Sequence, residues 1–90
     1  AGKVVQAMAL GKAVLTSRVG ENLEYIEHRR SGLLAEPGDV DDLARLLLEA
    51  LSNRTLTTTL GLNARQRIWE RYDWDDRIEA VEQLYQSVMT

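Results

Sequence analysis

The residue types best suited to chemistry fall in one short stretch of this 90-residue chain. Gly20 and Glu21 are followed by Glu24, shortly after the apolar run Ala13 to Thr16. A glycine that ends a strand and opens a helix frees backbone amides for an oxyanion. The same glycine also serves a tight turn and nothing more, and both readings stay open. Glu24 either braces the loop or meets a ligand, and acids are favoured in a first helical turn. Gln6, upstream, offers one neutral carbonyl acceptor and one amide donor.

Other candidates have plainer accounts. Asp39, Asp41 and Asp42 have the composition of a divalent-cation site, yet a first helical turn favours acids, so capping is the better account. Tyr72 and Trp74 suggest a sugar-stacking platform, but they flank the cap residue Asp73 and read as packing anchors. His28 stands beside Arg29 and Arg30 and reads as a solvated surface residue.

Composition narrows the chemistry further. There is no cysteine and one histidine, which excludes disulfides, thiolate nucleophiles and a multi-histidine metal site within one chain. Neither a catalytic residue nor a metal ligand is assigned. A net charge of −3 with dispersed basic residues argues against a general affinity for nucleic acid. No apolar run is as long as a membrane span, and no signal peptide is visible.

The elements that must position these residues follow from periodicity. Val4, Val5, Met8 and Ala9 share one face of a short helix over 3–10 that stops at Gly11. Residues 13–16 and 32–35 are short apolar strands, and residues 21–27 form a short helix between them, which implies a parallel crossover. A ligand then meets the sheet at the loop after the first strand, the carboxyl end where open α/β sheets bind. Three helices follow. The first, about 39–52, is capped by Asp39, with Asp42 in the manner of a capping box, and carries Val40, Leu43, Leu46, Leu47, Ala50 and Leu51. The second, 54–71, carries Leu56, Leu60, Ala64 and Ile68, with Gly61 a weak point. The third, about 74–88, carries Ile78, Val81, Leu84, Tyr85 and Val88. The predicted class is α/β: one partial Rossmann-like domain over 1–90 with short parallel strands and a helical tail.

Nearly the whole chain resembles a known family. The run Lys3-Val4-Val5-Gln6-Ala7-Met8-Ala9-Leu10-Gly11-Lys12-Ala13-Val14-Leu15-Thr16 is similar to the E-A-M-A-x-G-x-P-V-V-A-T segment of retaining glycosyltransferases of the GT-B fold, family 4 (group 1). Gly20-Glu21-Asn22-Leu23-Glu24-Tyr25-Ile26 is similar to its G-G-x-x-E-x-I. Ser31 to Leu34, Pro37-Gly38-Asp39 and Leu43-Ala44 match its G-L-L-v-x-P-G-D-x-x-x-L-A stretch. Ala64-Arg65, Tyr72-Asp73-Trp74 and Leu84-Tyr85 match its helical tail.

The resemblance implies the C-terminal part of a donor-binding domain that takes a nucleotide-diphosphate sugar as donor substrate, with no other cofactor. Gln6 falls on the second glutamate of the family's E-x7-E motif, which contacts the donor sugar and ribose; the first lies upstream of Ala1. Gln6, Gly20, Glu21 and Glu24 are thus the expected donor-nucleotide residues. Two positions depart from the pattern. Glu21 replaces the second glycine and brings a negative charge towards the donor, and Ala13 replaces the usual proline.

With Ala1 first and only two strands, a fragment is expected, one that lacks the N-terminal domain of its parent and is inactive alone. The parent is expected in the cytoplasm, with the membrane surface as an alternative station. The other function class is a non-catalytic α/β module acting through protein contacts. A truncated sheet leaves apolar surface for a second copy, so self-association is expected in either class.

Overall fold

The computed structural model describes residues 2–71, 79, 81–83 and 85–87. In chain order the elements are α1 (Gly2–Ala9), β1 (Leu15–Ser17), α2 (Asn22–Tyr25), β2 (Leu33–Ala35), α3 (Val40–Ser52) and α4 (Arg54–Arg71). Residues 79, 81–83 and 85–87 are also helical. The class is α/β, as predicted. β1 and β2 pair in parallel, Leu15 with Leu33, Thr16 with Leu34 and Ser17 with Ala35.

α1 ends where Gly11 lets it end. Gly11 has φ +76°, its amide donates to the Met8 carbonyl at 2.9 Å, and Lys12 donates to Ala7 at 3.0 Å. These two bonds satisfy terminal carbonyls in the Schellman arrangement. β1 starts two residues later than its apolar run, because β2 and not hydrophobicity sets the register. The Val14 carbonyl accepts from Leu33 at 2.8 Å, and the ladder ends with Arg18 donating to Ala35 at 2.8 Å.

A strand alternates its side chains between two faces, and β2 is buried on both. Leu34 enters a cluster with Met8, Ile26, Ala64 and Ile68, against which Val4, Val5 and Ala9 pack. Leu33 and Ala35 enter a second cluster with Leu46 and Leu60. The four-residue spacing gives α4 one apolar stripe, and that stripe serves both faces, Leu60 in one cluster and Ala64 and Ile68 in the other.

Two expectations are corrected here. Gly61 is not a weak point of α4 but the place where α4 meets the Gly11 turn: a Cβ there would stand 2.1 Å from the Gly11 carbonyl oxygen. And α3 buries much less of its apolar stripe than expected. Leu46 is fully buried and Ala50 half-buried, but Leu43 and Leu47 are 45% and 46% exposed, and Val40 and Leu51 76%. The stripe is wider than the two-stranded sheet it packs on. The predicted last helix lies largely outside the described residues; of its stripe, Val81 and Tyr85 are described, and both are exposed.

Candidate functional site

The loop after β1 is built as the sequence suggests but is held by a residue the sequence reading passed over. Gly20 has φ +48°, a left-handed conformation that disfavours side chains with a Cβ. Asn22, at the start of α2, reaches back to the strand: its Nδ2 donates to Thr16 Oγ1 at 3.2 Å and to the Ser17 carbonyl at 3.0 Å. Val19 also donates to Ser17, at 2.9 Å. An asparagine two residues after a glycine was the available signal, since its amide can bond backbone in a turn.

α2 is a single turn, shorter than the predicted 21–27, and one turn carries little of a helix dipole. Glu21 occupies its N-cap position with φ −62° and makes no side-chain capping bond. Its carbonyl accepts from Glu24 and Tyr25 at 3.0 and 3.3 Å. Glu21 and Glu24 are both exposed, so their carboxylates stand on the surface.

The far end of α2 is clamped by α4. Arg67 donates from Nε to the Tyr25 carbonyl at 2.7 Å, from one terminal nitrogen to the Glu24 carbonyl at 3.2 Å, and from the other to Glu27 Oε1 at 2.8 Å. Arg71 also donates to the Glu24 carbonyl, at 3.2 Å. Guanidinium groups at a helix C-terminus satisfy its orphan carbonyls. The part of Glu24 that braces the structure is thus its carbonyl. Nothing in the sequence pairs Arg67 with a segment some forty residues earlier.

Of the four expected donor-binding residues, Gly20, Glu21 and Glu24 share this loop. Gln6 lies on α1, half-buried, and its Nε2 donates to Gln83 Oε1 at 3.0 Å. The carboxyl ends of β1 and β2 flank a cleft of about 100 Å³ bordered by Ser17, Ala35, Glu36 and Asp39. Arg18 and Glu36 pair beside it at 3.1 Å. A larger open groove of about 510 Å³ is lined in part by Arg30, Arg67 and Arg71. Arg67 and Arg71 are spent on the α2 clamp, so that groove is a seam between elements.

Asp39 caps α3, but the expected capping box is not completed: Asp42 takes the Glu36 amide, while the Asp39 amide donates to the Glu36 carbonyl. Asp42 N donates to Asp39 Oδ1 at 2.9 Å, while Asp42 Oδ2 accepts from the Glu36 amide at 2.8 Å and Oδ1 pairs with Arg45. Those bonds, the Glu36 amide first and Arg45 second, hold the Asp42 carboxyl below its ordinary pKa. Among the described residues no group of three acidic or histidine side chains is placed to hold a metal ion. Tyr72 and Trp74 lie outside the described residues.

His28 is corrected from solvated to structural. Its Nδ1 accepts the Leu34 backbone N–H at 2.9 Å, in the middle of β2. The ring must be unprotonated at Nδ1 to do so, which places the proton of neutral imidazole on Nε2. Burial first, then the positive charges of Arg18 and Arg29, hold its pKa below 6.5, against a smaller opposing pull from Asp42.

The glycosyl transferases group 1 family model matches residues 2–67. An uncharacterised glycosyltransferase of Methanocaldococcus jannaschii is 32% identical over 84 residues, which cover 93% of this chain and 24% of the relative. N-acetyl-alpha-D-glucosaminyl L-malate synthase of Bacillus anthracis is 29% identical over 86 residues, covering 96% and 23%. Among solved structures, sucrose-phosphate synthase from Thermosynechococcus elongatus superposes with a TM-score of 0.77 at 30% identity, over 97% of this chain and 22% of that one. HepE of Anabaena, solved in complex with UDP and glucose, gives 0.74 at 26% identity, over 97% and 23%. The chain thus spans about a quarter of the length of these two curated relatives. A family model that fits 2–67, over α1, the parallel pair, the loop between them and most of α4, makes this chain a member of the glycosyl transferases group 1 family.

Proposed function

We propose that this chain forms the C-terminal part of the donor-binding domain in a retaining glycosyltransferase of the GT-B fold, family 4. The parent transfers a sugar from a nucleotide-diphosphate sugar to an acceptor. The observation that carries the reading is the loop after β1, with Gly20 in the left-handed region and Asn22 tying the loop to Thr16 and Ser17. A loop fixed at the carboxyl end of a parallel strand is where α/β sheets receive nucleotides. Membership of the family and the likeness to a structure holding UDP and glucose support it.

In this reading Gly20 lets backbone approach the donor, Glu21 and Glu24 meet hydroxyl groups of the sugar nucleotide, and Gln6 holds the ribose through its amide. The chain alone does not turn over, because transfer needs donor and acceptor held in one closed cleft. Calorimetric titration of UDP into the chain and into Gln6→Glu tests the assignment. A carboxylate accepts two charge-assisted bonds from adjacent ribose hydroxyls, so the variant is expected to bind about tenfold tighter. Unchanged or weaker binding in the variant removes Gln6 from the site.

A further inference from the structure

We infer that Gln83 is the positioning residue of Gln6: it turns the Gln6 amide so that the carbonyl end is left for the ribose hydroxyls of the donor. The inference rests on the donor reading of Gln6. Gln6 Nε2 donates to Gln83 Oε1 at 3.0 Å, and Gln83 Nε2 donates to Glu79 Oε1 at 3.2 Å. Glu79 and Gln83 are both helical and four residues apart, the spacing at which side chains on a helix meet. Gln83 is exposed, so it is not there to fill a core. Its Oε1 stands 3.8 Å from where a Cβ on Gly2 would be, so the side chain lies along the first turn of α1, beside Gln6.

The direction of this line of bonds is set by its last member. A glutamine amide carries a donor end and an acceptor end, and nothing in the residue itself decides which of them faces a ligand. An ionised carboxylate only accepts. Glu79 therefore takes the NH2 end of Gln83, which turns the Gln83 carbonyl towards α1. That carbonyl takes the NH2 end of Gln6. The Gln6 carbonyl, with no hydrogen-bond partner among the described residues, is the end that remains for a ligand. A glutamate at position 6 would present an acceptor whichever way it turned. A glutamine does so at one end only, and a relay that fixes its orientation answers that need.

Calorimetric titration of the full chain with UDP, and with the dideoxy analogue of UDP that lacks both ribose hydroxyls, tests this. Both nucleotides carry the same diphosphate, so the ratio of their affinities is blind to any charge a variant adds. Gln83→Glu keeps an acceptor facing Gln6, Gln83→Leu offers nothing, and Gln83→Lys offers only donors, which draw the Gln6 carbonyl onto themselves. The preference for UDP is expected to persist in Gln83→Glu, to fall about two- to tenfold in Gln83→Leu and to vanish in Gln83→Lys. Without nucleotide, the NMR temperature coefficients of the Gln6 side-chain amide protons are expected to show a hydrogen bond in the wild type and in Gln83→Glu, and none in the other two. A residue that merely docked its helix on α1 would move the three variants alike, so an equal preference or an equal loss in all three overturns the inference. Tighter UDP binding by Gln83→Leu also overturns it, because Gln83 would then occupy the site instead of arranging it. A wild-type chain whose Gln6 amide is hydrogen-bonded but which takes no UDP overturns the donor reading, and this inference with it.

Discussion

The backbone of Gly11 rests on Gly61. A Cβ at residue 61 would lie 2.1 Å from the Gly11 carbonyl oxygen and 3.0 Å from its carbon, closer than van der Waals contact allows. The turn that ends α1 and the middle of α4 are thereby in direct backbone contact, and α1 and α4 close over Met8, Ala64 and Ile68. The turn also decides where the chain leaves α1 for β1, and hence where the loop after β1 begins.

Gly61→Ala is therefore expected to destabilise the fold. Helix propensity alone would favour alanine by about 1 kcal/mol, but the obstacle is backbone, which cannot rotate away. Urea unfolding is expected to show a net loss of about 1–3 kcal/mol. A gain in stability would mean that the two backbones are not in contact.

Stability is expected to fall as the solution is acidified below pH 6.5, because of His28. The unfolded chain takes its proton near pH 6.5 and the folded chain only at lower pH, so between the two the unfolded state binds more protons. Stability declines through that window and levels off once the folded ring is protonated too. A second acid loss follows below the ordinary carboxylate range. Asp42 and Glu49 contribute it, their pKa values held down chiefly by the Glu36 amide and by Arg29 respectively. His28→Ala orphans the Leu34 amide at a cost of about 1–3 kcal/mol and abolishes the first loss but not the second. His28→Asp, which still offers an acceptor and faces Arg18 and Arg29, is expected to recover stability without the loss near pH 6. Thermal unfolding from pH 8 to 2 reads all three proteins.

Asn22→Ala removes two bonds that tie the loop to β1. Global stability is expected to drop by about 1 kcal/mol, with faster amide exchange concentrated at residues 18–24. Exchange that rises evenly across the chain would show that the brace is not local.

Arg67→Lys keeps the charge but not the forked donor set that joins Tyr25, Glu24 and Glu27. A loss of about 1–3 kcal/mol is expected, with Arg67→Ala no more than slightly worse. Wild-type stability in the lysine variant would mean charge alone holds α2 to α4.

Much of this was legible in the sequence, for identifiable reasons. The Gly11 stop, the Asp39 cap and the Leu60–Ala64–Ile68 stripe are local patterns, fixed by turn chemistry and helical period, and they are found where the residues put them. What was not legible depends on partners distant in sequence. Gly61 reads as a defect until Gly11 is seen against it. His28 reads as solvated until the Leu34 amide of β2 is found on its ring nitrogen, and the clamp of Arg67 depends on the end of α2, some forty residues earlier. The α3 stripe is a case of another kind: its period is unmistakable, but periodicity says which face is apolar, not how much of that face the chain covers. For the candidate site, the glycine loop was readable from type and order, whereas its brace, Asn22, became visible only with Thr16 and Ser17 in place.

The central claim is that the loop from Gly20 to Glu24 and the side chain of Gln6 belong to a site for a nucleoside diphosphate. The most direct measurement is a heteronuclear NMR titration of the chain with UDP or GDP. Binding is expected to shift the amides of Gly20, Glu21 and Glu24 together with the side-chain amide of Gln6, at one common midpoint. A well-dispersed spectrum in which these resonances stay fixed at millimolar ligand would contradict the claim, leaving the fold and the family but not the site.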